Sequence, residues 1–157
     1  MKAASISQLK QEMKDRSSTE LLEVCLRLAR FKKDNKELIT YLLFEVQDEQ
    51  SYIRAIKEEM IQQFEEINRS NIYFAKKSIR KIVRTTNKFI RYSGHKQTEV
   101  ELLIHFCKCL KDSGIPMNNS IALRNIYDRQ IQKTKKTINT LHEDLQYDYG
   151  VELESLL

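Results

Sequence analysis

The chain has few of the residues that interrupt helices and build tight turns. Among its 157 residues there are only three glycines and one proline, so sheet corners and hairpin turns have little of the material that they use. It also has no apolar run approaching the roughly 20 residues that would span a bilayer. The sequence therefore predicts an all-α protein of long helices without a membrane span.

Disulfides and a secretion signal are also not expected. The three cysteines are an odd number, and the N-terminal stretch from Met1 to Met13 has no apolar run of signal-peptide length. We therefore predict reduced thiols in a cytoplasmic protein. A hydrophobic content of 41% excludes a disordered chain, and the length fits one domain, so we predict a single domain over residues 1–157.

Helix start and stop patterns predict six or seven antiparallel helices, arranged as a helical bundle or a short helical-hairpin array. Capping boxes begin at Ser5, Ser17 and Thr98, where a hydroxyl accepts a hydrogen bond from the amide three residues later. Gly94 and Gly114 follow helical stretches and are typical helix ends. The third helix, apolar almost all round from Leu38 to Val46, and the sixth, from Thr98 onward, are predicted to be innermost.

The last helix is predicted to be the longest, from about Asn119 to Tyr149. Its apolar residues recur every three or four positions, which is typical of a seam that needs a long partner. That partner is either a neighbouring helix or a second subunit. For the second case we predict self-association through one set of residues: Leu123, Tyr127, Ile131, Ile138, Leu141 and Leu145.

Acidic residues are missing from residues 67–98, which contain nine lysines and arginines. The segments on either side carry more acids than bases, with 11 basic and 13 acidic residues before and seven and nine after. A helix predicted from about Asn71 to Tyr92 would place its apolar residues on one face and its cations on the other. Core packing explains the apolar face, but like charges spaced i, i+4 destabilise a helix, so the basic face needs another explanation.

Three interpretations of the basic face, residues 73–91, stay open. Acids of the preceding helix, Glu65 and Glu66, or of the C-terminal tail could neutralise it within the fold. Alternatively, it binds an acidic protein partner or an anionic membrane surface. The third interpretation, which we favour for function, is a non-enzymatic binding module that contacts RNA or DNA, with a structural or protein-interaction module as the alternative. The candidate nucleic-acid-binding residues are Tyr73, Lys76, Lys77, Arg80, Lys81, Arg84, Lys88 and Arg91.

Metal-ligand residue types cluster only at His105, Cys107 and Cys109. On a helix His105 and Cys109 share a face and Cys107 points away, so at most two ligands converge, whereas a closed zinc site takes four. No phosphate-binding loop, nucleophile elbow or metalloprotease motif is present. We predict no metal site, no cofactor and no enzymatic activity.

Three stretches in the middle of the chain carry a family resemblance: Ala75-Lys76-Lys77-Ser78, Arg91-Tyr92-Ser93-Gly94 and Lys96-Gln97-Thr98-Glu99-Val100-Glu101. Through them the chain resembles a group of small all-helical proteins from Bacteroides-like bacteria that have no assigned function. The resemblance implies a bacterial cytosolic protein, and it implies no ligand or site for any residue.

Overall fold

The computed structural model describes all 157 residues and is all-α, as predicted. It has eight α-helices rather than six or seven, because the predicted last helix is divided in two. Two short helical turns, Tyr41–Glu45 and Met117–Asn119, complete the secondary structure. The helices are α1 Ile6–Lys14, α2 Ser18–Phe31, α3 Lys33–Thr40, α4 Glu49–Glu65, α5 Ile72–Ser93, α6 Lys96–Asp112, α7 Ile121–Ile138 and α8 Glu143–Glu154. None of them is both long enough and apolar enough to cross a bilayer.

Two of the three predicted capping boxes form. The Ser5 amide donates to Oε1 of Gln8 at 2.9 Å, and the Ser17 amide donates to Oε2 of Glu20 at 2.8 Å. The capping box predicted at Thr98 does not form, because α6 begins three residues earlier and its N-cap is His95. The Thr98 hydroxyl is buried and donates instead to the Glu49 carboxylate of α4.

The contacts divide the chain into two compact units, Met1–Phe44 and Glu45–Leu157. The single domain over residues 1–157 stays a prediction. In the first unit α2 and α3 pack against each other, and Nδ2 of Asn35 donates to the carbonyl of Leu28 at 2.9 Å across their junction.

The third helix is not innermost, and that prediction was wrong. No residue of α1, α2 or α3 is buried, and Leu43, which follows α3, is 64% exposed. A helix that is apolar all round needs neighbours on every side. Within the first unit α2 covers only one side of α3.

The second unit is built around α6, and the prediction that this helix is innermost is confirmed. It packs against α4, α5, α7 and α8. Eight of its side chains are at most 2% exposed, and six of these are aliphatic or thiol side chains. They are Val100, Leu102, Leu103, Ile104, Cys107 and Leu110, to which Phe106 adds an aromatic contact with Phe64 at 5.7 Å between ring centres.

The predicted single C-terminal helix was wrong. The chain leaves the helix after Ile138 and starts again at Glu143. Threonine and asparagine compete for backbone hydrogen bonds in this stretch. The hydroxyl of Thr140 donates to the carbonyl of Thr137 at 2.7 Å, and Nδ1 of His142 accepts from the amide of Asp144 at 3.4 Å, which caps α8.

Residues of the predicted apolar seam pack within the second unit. Leu123, Ile131 and Ile138 are buried, and the Tyr127 hydroxyl of α7 donates to the carbonyl of Leu156, which follows the end of α8, at 2.7 Å. These three buried residues cannot form a dimer interface without opening the core. Half of the predicted self-association residues are therefore part of the core, and self-association through this seam stays a prediction.

A core substitution tests the central position of α6. We expect Leu103→Ala, which empties space at a residue that is 1% exposed, to lower the free energy of unfolding by about 2–5 kcal/mol. The matched control is Ile121→Ala at the start of α7, where the side chain is 78% exposed and the expected change is within about 0.5 kcal/mol. Urea denaturation followed by circular dichroism measures both, and equal losses would contradict the assignment of the core.

Candidate nucleic-acid interface

The boundaries of α5 agree with the predicted basic helix. Oδ1 of Asn71 accepts from the amides of Tyr73 and Phe74 at 2.9 and 3.4 Å, which satisfies two of the free donors at the helix start. Gly94 ends the helix with φ of 71°, a left-handed conformation that suits glycine. Between them α5 buries Ala75, Ile79, Ile82, Thr86 and Ile90, so that the opposite, basic face points outward.

A groove of about 560 Å³ lies between α5 and α7. Five of the eight predicted residues line it from α5, and α7 supplies the opposite wall. No carboxylate is among its lining residues. We call it the Tyr73 groove, and it is lined by Tyr73, Lys76, Lys77, Arg80, Val83, Arg84, Ile126, Arg129 and Gln130.

Most cations of the basic face, residues 73–91, form no ion pair with an acid of the fold. Glu65 and Glu66 form no ion pair with it, and in the tail the Glu152 carboxylate lies 2.8 Å from Nζ of Lys108 on α6 instead. No ion pair with Glu65 or Glu66 therefore supports the interpretation that acids of the fold neutralise the basic face, and that interpretation stays a prediction. The cations without an ion pair are Lys76, Lys77, Arg80, Lys81, Arg84, Arg91 and, on α7, Arg129.

A second cavity of about 780 Å³ continues from the Tyr73 groove toward the end of α5, and Arg84 lines both. Its wall contains one carboxylate, that of Glu99 on α6. Two lysines hold this carboxylate, with Nζ of Lys133 at 3.0 Å and Nζ of Lys96 at 3.2 Å. The other charged residues of the wall are basic, and they include Arg84, Lys88 and Arg91.

The charge state of Glu99 follows from two opposing effects. Burial disfavours the carboxylate, but the hydrogen bonds and positive charges of Lys133 and Lys96 outweigh it, so the pKa of Glu99 lies below its usual value of 4.5. Lys133 also donates to Oδ1 of Asn87 on α5 at 2.7 Å. This network joins α5, α6 and α7 at the cavity.

Three predicted residues, Lys81, Lys88 and Arg91, lie apart from the Tyr73 groove, and Arg91 lines the second cavity. Lys88 is half-buried, and its ammonium lies 5.5 Å from the ring centre of Phe89 and 6.0 Å from that of Tyr92, within cation–π distance. Lys81 is exposed but lines neither cavity. The predicted row is thus divided between two sites, with Lys81 outside both.

The structure adds two residues that sequence reasoning missed, Arg129 and Gln130 of α7. The only indication of these two residues in the sequence is the basic character of residues 124–136. Which face of α7 lies next to α5 depends on where the last helix breaks. Gln130 is only 8% exposed. Its Nε2 lies 3.5 Å from the carbonyl of Ile126, whereas its Oε1 is the one buried side-chain oxygen or nitrogen in the chain that has no hydrogen-bond partner.

The histidine and cysteine cluster on α6 has the predicted helical geometry. Nε2 of His105 lies 3.5 Å from Sγ of Cys109, and Cys107 points into the core. Burial raises the pKa of the Cys107 thiol to about 12 and that of Cys109 to about 11. Neither thiol is therefore a ready nucleophile near neutral pH, because the thiolate is the reactive form.

Comparison with known proteins found no matching family model, no similar curated protein and no similar solved structure. The resemblance to helical proteins of Bacteroides-like bacteria therefore stays a prediction.

The Glu99 network predicts a pH dependence of stability. Because the folded state lowers the pKa of Glu99, its ion pairs stabilise the fold above pH 4.5 and are lost as the pH falls through the folded-state pKa. We expect Glu99→Gln to reduce stability near pH 7 and the difference from wild type to shrink on acidification below pH 4.5. Urea denaturation over a pH series, with the exposed Glu58→Gln as control, measures this. A difference that grows with acidification would contradict it.

Proposed function

We propose that the chain is a non-enzymatic nucleic-acid-binding module and that the Tyr73 groove is its principal contact. The observation that carries this proposal is a convergence of charge. Five cations from two helices surround one groove without a carboxylate in its lining: Lys76, Lys77, Arg80, Arg84 and Arg129. A repeating polyanion is the ligand class that can neutralise such a set at once.

The arginines give this surface its preference for phosphate. Arg80, Arg84 and Arg129 can each present a planar fork of donors to two phosphate oxygens, whereas lysine acts as a point charge. Successive cations along α5 also continue beyond the groove into the second cavity, where Arg91 lies. A backbone of several linked phosphates fits this extended row better than a single small anion does.

Tyr73 supplies an aromatic surface at the start of the row. Its side chain is 65% exposed, and its ring packs edge-on against that of Phe74 at 5.5 Å, which restrains its orientation. An exposed ring next to cations is the combination that single-strand-binding proteins use, with stacking on the bases and ion pairing to the backbone. We therefore infer a preference for single strands or unpaired ends over continuous duplex.

Gln130 supports a ligand that also carries a hydrogen-bond donor. Buried oxygens without a partner are rare and need an explanation, and the terminal torsion of glutamine is soft enough to turn the amide toward the groove. The cations can hold the phosphates while the amide oxygen accepts from an N–H or O–H group. Nucleotides provide both kinds of group, whereas inorganic polyphosphate provides only the first.

A salt titration tests the electrostatic contribution to the proposed nucleic-acid binding. If four phosphates are neutralised, the logarithm of the affinity for a 20-nucleotide single-stranded oligonucleotide should fall with the logarithm of the salt concentration with a slope of about −3. We expect Arg80→Gln, Arg84→Gln and Arg129→Gln together to reduce this slope to about −1, because three phosphate contacts are lost. Fluorescence anisotropy from roughly 50 to 300 mM salt gives the slopes.

The matched control removes the same charge elsewhere. Arg27, Arg54 and Arg69 are exposed arginines outside α5 and α7 that form no ion pair, and their joint change to Gln lowers the net charge equally. This variant should keep nearly the wild-type slope. An equal loss of salt slope in both triple variants would show that binding depends on net charge and not on the groove. No binding by the wild type at about 50 mM salt would refute the proposal.

The stacking part has a separate test in the same assay. We expect Tyr73→Ala to weaken binding to the single strand by about 1–3 kcal/mol because a base loses its aromatic partner, while the salt slope stays unchanged. Tyr73→Phe, which keeps the ring, should bind like the wild type. An unchanged affinity in Tyr73→Ala would show that the contact is to the backbone alone.

A further inference from the structure

One buried oxygen in the wall of the Tyr73 groove has no hydrogen-bond partner. Gln130 of α7 lines this groove and is 8% exposed, and no group of the protein donates to its side-chain Oε1. Lysines and arginines line the same groove, but none of their N–H groups pairs with this oxygen. An unpaired buried acceptor destabilises the fold, so a ligand that donates to it would recover free energy on binding.

The amide group of Gln130 is weakly held. Its Nε2 lies 3.5 Å from the carbonyl oxygen of Ile126, which is longer than the distance of about 2.7–3.2 Å in ordinary N–H···O hydrogen bonds. The terminal torsion of a glutamine side chain is also broad. A rotation of the amide can therefore present Oε1 to a ligand in the groove with little loss of existing hydrogen bonding.

Gln130 lies beside the arginines that we propose to bind phosphate. Its neighbour Arg129 lines the groove from α7, and Arg84 lines it from α5. Three residues farther along each helix, Nζ of Lys133 donates to Oδ1 of Asn87 at 2.7 Å. This contact places Gln130 near the Arg84 end of the groove.

The aromatic ring of the groove is at the other end. Tyr73 is the one aromatic residue of the lining, and it precedes Arg84 by 11 residues, which is about 16 Å along α5. A base that stacks on Tyr73 is therefore out of reach of the Gln130 amide. The part of the strand beside Gln130 is the part that the arginines hold through its phosphates.

Within the sugar–phosphate backbone only the ribose supplies a hydrogen-bond donor. Phosphate oxygens and the ring oxygen of the sugar accept hydrogen bonds, whereas the 2′-hydroxyl of RNA both donates and accepts. DNA has no hydroxyl at this position. An acceptor that lies among phosphate-binding arginines is therefore suited to distinguish RNA from DNA.

We infer that the Tyr73 groove selects RNA over DNA, with Oε1 of Gln130 accepting a hydrogen bond from a ribose 2′-hydroxyl while Arg84 and Arg129 bind the adjacent phosphates. This inference rests on the proposed nucleic-acid binding and adds the sugar that the groove recognises. The cations attract both kinds of strand. Gln130 is thus the residue that determines the choice between them.

Fluorescence anisotropy with three strands of about 20 uracil nucleotides tests this inference at a salt concentration where the wild type binds. The strands carry ribose, deoxyribose or 2′-fluororibose, so the bases are identical and only the sugar differs. We expect the ribose strand to bind about 3- to 10-fold more tightly than the other two, which corresponds to one hydrogen bond. The 2′-fluoro strand keeps an RNA-like sugar conformation but cannot donate, and it separates the hydrogen bond from backbone shape.

Gln130→Met removes the acceptor and keeps a side chain of similar length. We expect its affinity for the ribose strand to fall to that for the deoxyribose strand, while the affinity for the latter and the salt slope stay unchanged. Urea denaturation should show a free variant at least as stable as the wild type, because an apolar group replaces an unpaired buried oxygen. The matched control is Gln132→Met, an exposed residue of α7 outside the groove, and it should keep the wild-type preference.

The outcomes separate this inference from the proposed function. Equal affinities for the three strands with the expected salt slope would overturn the 2′-hydroxyl contact and leave nucleic-acid binding intact. A 2′-fluoro strand that binds like the ribose strand would assign the preference to backbone shape, and a preference that survives in Gln130→Met would assign it to another residue, and either result would overturn the inference. No binding to any strand at about 50 mM salt would refute the proposed function itself.

Discussion

The burial of α6 is the constraint on which the second unit depends. Since α5 and α7 both pack against this helix, each must turn its apolar face toward it and its polar face away. Two helices that pack side by side on the same helix leave a groove between their solvent-facing surfaces. The Tyr73 groove is of this kind, and it is basic because both α5 and α7 carry cations along it.

The Glu99 network lies among the cations of the second cavity. A carboxylate at the rim of the second cavity could have attracted Arg84 or Arg91 and reduced the positive field. Instead it is held by Lys133 and Lys96, and Lys133 is held in turn by Asn87. Glu99 therefore pairs with the two lysines, and Arg84 and Arg91 form no ion pair.

Much of this could be predicted from local patterns, and the rest could not for identifiable reasons. Asn71 and Gly94 marked the ends of α5, because cap chemistry acts over a few residues. The central position of α6 followed from its apolar content. The exposure of Leu43 could not be predicted, because an apolar helix indicates only that cover is needed and not which molecule provides it. Arg129 could not be predicted because its position opposite Arg80 depends on long-range packing. The break after Ile138 could not be predicted because the apolar periodicity continues through it and hides the weak helix formers there.

The unbroken positive charge along α5 also has a consequence for the folded state itself. Like charges repeat at i, i+4 from Lys76 to Arg80, Arg84 and Lys88, so the helix is held together by its apolar contacts against its own repulsion. Dissolved ions screen that repulsion. Salt therefore has two opposite effects. It weakens the repulsion within α5, and it also weakens the attraction of α5 to a polyanion. A bound polyanion would therefore stabilise the fold most at low salt concentration.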